Sequence, residues 1–148
     1  MHPQPPTPEH PDRSPDPDLA ALLRLEVGLL RRRAAGRRFA PVLHLGRPGG
    51  CQHSIPLEDV ETDVLDAATR VDLVGVLLDT GGPEPRPTLW LTRPGDPEAQ
   101  DEDLAWLAAA HVAAGARQRP VPACYAVTPT GWVDVHTGRR RTWKRLRL

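Results

Sequence analysis

The 148-residue chain has no asparagine, one lysine and single residues of Ile, Phe, Tyr and Met, set against 18 arginines and 18 prolines. Such a skew follows GC-rich codons, so arginine fills ordinary surface positions that elsewhere hold lysine, and its abundance is not itself a sign of phosphate binding. Long apolar runs are also missing. The longest, Leu104 to Ala110, reaches seven residues, and Leu73 to Leu78 reaches six, whereas a spanning helix needs about 20. No membrane association is expected. The opening MHPQPPTPEHPDRSPDPD has neither a basic n-region nor an apolar h-region, so the expected location is the cytoplasm. Cys51 and Cys124 are the only cysteines, too few for a disulfide framework and expected as free thiols. Neither sign of charge prevails, with 19 basic and 19 acidic side chains, which is not the field of a dedicated nucleic-acid binder.

What is present is enough for one domain. Leu, Val, Ile and Phe make up 33 of 148 residues, and 31 of these fall between residues 19 and 135. Seven of the 18 prolines lie in the first 17 residues, each removing a backbone donor, so residues 1–15 are expected as an extended, disordered tail. Residues 16–138 are expected as a single α/β domain, and residues 139–148 as a basic C-terminal segment.

Within the domain, Asp16-Pro17-Asp18 reads as a helix start, and Leu19, Leu22, Leu23, Val27 and Leu30 follow at helical spacing up to Gly36. Arg31, Arg32 and Arg33 fall in its last turns, where cations complement the helix dipole. Phe39 to Leu45 reads as a strand that ends at the turn Gly46 to Gly50. Pro56 to Ala68 is expected as an amphipathic, acidic helix, Val71 to Leu78 as a central strand, and Thr88 to Thr92 as the next strand. A helix from Asp101 to Gly115 and a hairpin of Cys124 to Val127 with Gly131 to Val135 complete the chain. Helices alternating with strands predict a mixed sheet of about five strands flanked by three helices.

Three constellations could carry chemistry. Cys51 lies just ahead of the expected helix at Pro56, with His44 and His53 as base or orienter, and this is the one arrangement of nucleophile type for a thiol-dependent enzyme. The same three residues supply no fourth ligand in zinc spacing, so no metal is expected. Gly46, Gly49 and Gly50 fit neither phosphate-loop pattern, so no nucleotide cofactor is expected. His111 is expected at a helix rim and Cys124 as a small apolar strand residue. The segment RRRTWKRLRL carries Arg139, Arg140, Arg141, Lys144 and Arg145 around Trp143. Nucleic acid or an acidic partner could be held there by phosphate contacts and stacking, or Trp143 could pack back on the domain.

The run TLWLTRPGDPEAQDEDL at 88–104, followed by a helix, a strand and Gly131-Trp-Val-Asp-Val135, resembles the metal segment of RadC-type JAB domains. The resemblance covers residues 56–135. It implies a strand ending in two histidine ligands, a Gly-Asp-Pro loop, and a helix opening with serine and an aspartate ligand. Here Leu91 and Arg93 stand at the histidine positions, Gln100 at the serine and Asp103 at the aspartate. A JAB-like domain without its metal is what the resemblance implies. The Gly-Trp, basic, Trp-x-x-Leu ending is also similar to that of small bacterial proteins. The leading expectation is a non-catalytic binding or regulatory domain of unknown protein partner. Its alternatives are a nucleic-acid-associated protein using residues 139–148, and a thiol-dependent enzyme centred on Cys51.

Overall fold

A computed structural model describes residues 16–58, 60, 65–81 and 85–146. The expected tail at 1–15 lies outside the described residues.

The first helix, α1 (Pro17–Ala34), begins where Asp16 accepts a hydrogen bond from the Leu19 amide at 2.9 Å, with proline in the first turn. It is followed by the hairpin β1 (Val42–Gly46) and β2 (Gln52–Pro56), then α2 (Ala67–Thr80), β3 (Thr88–Thr92), α3 (Asp101–Ala116), β4 (Ala123–Thr128), β5 (Gly131–Asp134) and β6 (Arg140–Thr142). The six strands form one mixed sheet in the order β2-β1-β3-β4-β5-β6. Only β3 and β4 are parallel, and α3 makes the crossover between them, as a parallel pair requires. The α/β class, the single sheet and the three helices agree with the pattern of the sequence.

Two elements differ from the expected order. The apolar run Val71 to Leu78 is the body of helix α2 and not a strand. Such a run has no period of its own, and the helix is decided by its ends: the Asp66 carboxylate caps the Thr69 amide at 2.8 Å, and Val74, Leu77 and Leu78 share the buried face while Val76 is exposed. The expected helix from Pro56 to Ala68 is also corrected. Its first residue closes strand β2, which pairs with β1 in the register Val42↔Pro56 to Gly46↔Gln52. Residues 59 and 61–64 of that stretch lie outside the described residues. With the central strand removed and β2 and β6 added, the sheet has six strands instead of about five.

The sheet is covered on both faces, as the period of two along each strand allows. Leu43, Leu45, Leu89, Leu91, Cys124, Ala126 and Val133 face α2 and α3, meeting Val74, Leu77, Trp106 and Ala110. Trp90, Tyr125, Val127 and Trp132 face the other way and receive Leu23, Val27 and Leu30 of α1. The central β3 is buried along its whole length.

The β1–β2 turn imposes one glycine. Gly46 has φ +141°, and a Cβ there would lie 2.4 Å from the Cys51 carbonyl oxygen, so only glycine lets the two strands close.

Candidate functional site

Strand alternation separates the three residues of the β1–β2 hairpin that the sequence groups together. His44 and its cross-strand partner Ser54 point to the α1 face, whereas His53 pairs with Leu45 and points to the other. Cys51 and His53 line a cavity of about 430 Å³, together with Arg119, Leu45, Leu78 and Pro120. The structure shows no hydrogen bond between the thiol and the imidazole. The thiol therefore keeps His53 as a neighbour, and His44 is not its base.

His44 instead ties three strands together. Its Nδ1 meets Ser54 Oγ at 2.6 Å and its Nε2 meets Thr92 Oγ1 at 3.0 Å. Thr92 donates its own proton to the Val42 carbonyl at 3.3 Å, so it must accept from Nε2–H, and Nδ1 then accepts from Ser54. The imidazole is buried and stacked on Trp90 at 5.0 Å. Burial, with the Arg33 charge second, lowers its pKa to about 4. A neutral, doubly bonded histidine between an edge strand and the centre of the sheet is a structural staple. The sequence holds its trace in Leu43-His44-Leu45, where a polar residue between two core residues must face the opposite side.

A second polar centre lies where β3 meets α3. Arg93 Nε and Nη2 donate to the two Asp103 carboxylate oxygens, each at 2.8 Å. Its remaining N–H groups go to the carbonyls of Pro94, Asp96 and Glu98 at 2.9–3.1 Å. All five guanidinium donors are thus used. Asp103 also accepts the Gln100 amide at 2.9 Å, so one carboxylate neutralises Arg93 and starts α3. Both residues are buried, and the loop 94–100 is wound around the guanidinium. Leu91, at the other histidine position of the resemblance, points into the α2–α3 core. Among the described residues no three His, Cys, Asp or Glu side chains gather as a metal site.

No protein-family model, curated protein or solved structure matches this chain. The reading of the site therefore rests on its geometry.

The basic C-terminal residues are joined to the domain. β6 pairs with β5, the Trp143 amide donates to the Thr130 carbonyl at 2.9 Å, and the Trp143 and Leu146 side chains are half-buried against the α1 cluster. Arg31 of α1 fixes this arrangement: its Nε donates to the Pro129 carbonyl and its Nη2 to the Trp143 carbonyl, both at 2.7 Å. Arg31 is therefore a clamp as well as a complement to the helix dipole, a role its sequence position does not announce. Arg141 lies over the Trp143 ring at 5.7 Å, and Arg140 pairs with Glu98 at the surface. Arg32, Arg37 and Arg38, just past the clamp, are exposed, as are Arg141, Lys144 and Arg145. Two runs of arginine about 100 residues apart in sequence thus meet at one end of the sheet.

Trp143 is accordingly an anchor and not a stacking platform. Trp143→Ala is expected to lower stability by about 2 kcal/mol, roughly half the cost of truncating a fully buried tryptophan. Urea denaturation of the two proteins measures it. A loss below about 0.5 kcal/mol would mean that the ring is not packed.

The remaining histidines and the second cysteine have ordinary surroundings. His111 is exposed on α3, its ring edge-on to His136 at 5.8 Å. Cys124 is buried in β4, and burial pushes its thiol up to about 12, which leaves it unreactive. Among the described residues, no helix is long and apolar enough to cross a membrane.

Proposed function

We propose that the chain is a non-catalytic binding domain that holds the phosphate backbone of nucleic acid on the basic end of its sheet. The observation that carries this reading is the Arg31–Trp143 clamp, which joins the segment that carries Arg32, Arg37 and Arg38 to the one that carries Arg141, Lys144 and Arg145, all six exposed.

The zero net charge is not an objection, because the charge is segregated. Residues 58–103 hold 13 acidic and 3 basic side chains, and residues 104–148 hold 1 acidic and 8 basic. Helices α2 and α3 cover one face of the sheet and α1 the other, and of the acidic residues before α3, Glu98 is paired with Arg140. A domain that is neutral overall still presents one positive end to a polyanion. With Trp143 packed inward, affinity comes from phosphate contacts and not from stacking, so little sequence preference is expected. Fluorescence anisotropy with a labelled oligothymidylate at low salt tests the reading. Binding should weaken strongly when Arg141, Lys144 and Arg145 are replaced together by Gln. No binding by the unaltered protein would refute it.

A second reading concerns descent. The resemblance to RadC-type JAB domains is favoured by the Arg93–Asp103 pair, since a guanidinium bonded to the retained aspartate puts a fixed positive charge beside that carboxylate. A JAB-like domain that has exchanged its metal for an internal cation would be non-catalytic. This agrees with the binding role.

A further inference from the structure

The sheet has a cavity at its other end. Gly46, Thr88 and Ala123 stand in register at the end opposite Val42, Thr92 and Val127, and there the cavity lined by Cys51, His53 and Arg119 opens. Its volume of about 430 Å³ lies within the range of small-molecule sites, about 300–1,000 Å³. The walls are apolar, from Leu45, Leu78, Pro87 and Pro120. The polar groups are few and are gathered among the side chains of Arg119, His53 and Cys51.

Among the residues lining the cavity the arginine is Arg119, and its donors are used differently from those of the arginines nearby. Arg93 uses all five of its N–H groups inside the protein, as described above. Arg117 gives three to the Asp79 carboxylate and the Ala113 carbonyl. Arg119 donates one hydrogen bond, from Nη1 to the Leu78 carbonyl at 2.8 Å. That bond has two effects: it caps a carbonyl at the C-terminal end of α2, which would otherwise repel an anion, and it fixes the guanidinium beside the cavity. The other four N–H groups, on an exposed side chain, have no hydrogen-bond acceptor among the described residues, although the Asp79 carboxylate is near enough to feel the Arg119 charge. A planar fork of donors beside an apolar recess matches a carboxylate on a hydrocarbon body.

We propose that this cavity binds a small amphipathic carboxylate, with Arg119 and His53 holding the head group and the Leu–Pro walls holding the apolar body. The site is independent of the basic end of the sheet, so it stands or falls apart from nucleic-acid binding. Cys51, exposed and free on the cavity wall, serves as a reporter of occupancy without taking part in binding.

The probes are octanoate and, as the uncharged comparison, octanol, each titrated calorimetrically into the full chain. Octanoate should bind one per chain, about tenfold or more tighter than octanol, the factor expected for a charge-assisted hydrogen-bonded pair. Arg119→Gln should remove that preference, and Arg119→Lys should restore part of it. Octanoate should also slow alkylation of Cys51 by iodoacetamide in the unaltered protein but not in Arg119→Gln. Cys51→Trp, a change at an exposed position, should block both ligands by filling the recess. Equal affinity for octanoate and octanol, no binding of octanoate, or binding that leaves Cys51 alkylation unchanged would each overturn the proposal.

Discussion

Asp103→Ala should be the most damaging single substitution at a polar residue, lowering stability by about 3–5 kcal/mol. The charge of Arg93 would remain buried with no counter-ion, which is the costly way to break an internal ion pair. The N-terminal amide of α3 would lose its acceptor at the same time, adding about 1 kcal/mol. Against a total of about 5–15 kcal/mol for a domain, this leaves little reserve. Urea denaturation should show a much lower midpoint at an unchanged slope. Replacing both partners, Arg93→Met with Asp103→Leu, should recover only part of the loss. The reason is specific to this site: Arg93 also holds the carbonyls of Pro94, Asp96 and Glu98, and a methionine leaves the loop without those donors. Complete recovery would show that the loop does not depend on the guanidinium.

The second large effect is on pH dependence and comes from His44. Its folded-state pKa, about 4, lies below the ordinary 6.5, so between these values the unfolded chain binds a proton that the native protein refuses. Stability from this residue is therefore complete above pH 6.5 and declines as pH falls towards 4. At about 1.4 kcal/mol per unit, the decline amounts to about 3 kcal/mol. Glu26 acts in the opposite sense. Burial raises its carboxyl pKa despite the Gly49 amide and the Arg33 charge, so protonation on acidification relieves a cost in the fold. The His44 part is isolated by comparison with His44→Gln, which retains a donor towards Thr92 and does not titrate. The stability of the unaltered protein minus that of the variant should fall between pH 6.5 and 4. A flat difference would show that the imidazole is not held neutral.

These two residues also show what was legible in the sequence. The helix starts at Pro17 and Asp101, the strand Thr88–Thr92 and the β4–β5 hairpin were legible because each has a local signal: a cap, a proline at the first helical position, or a turn between β-formers. The run at 71–78 was not, because apolar residues without a period fit a buried strand and a buried helix equally, and the decision lay in the Asp66 cap outside the run. β2 carries no such signal, because Gln52-His-Ser-Ile-Pro56 has a single strong apolar residue and is held by its pairing with β1 more than by its composition. Of the candidate site, the nearness of Cys51 and His53 follows from their spacing, and the exclusion of His44 could have been read from strand alternation. The meeting of Arg31 with Trp143, and of Arg119 with the end of α2, is tertiary. No window of sequence holds it.

The central claim is that the two arginine runs form one surface, and the salt dependence of oligothymidylate binding tests it most directly. Single-stranded contacts contribute about −0.7 each to the slope of log K against log salt, so the six exposed cations named above allow a slope of about −4. Replacing Arg37 and Arg38 with Gln, more than 100 positions from the C-terminal run, should reduce the slope by about 1.4 and weaken binding. The C-terminal replacements should reduce it further. A slope unchanged by the Arg37 and Arg38 substitutions would contradict the shared surface.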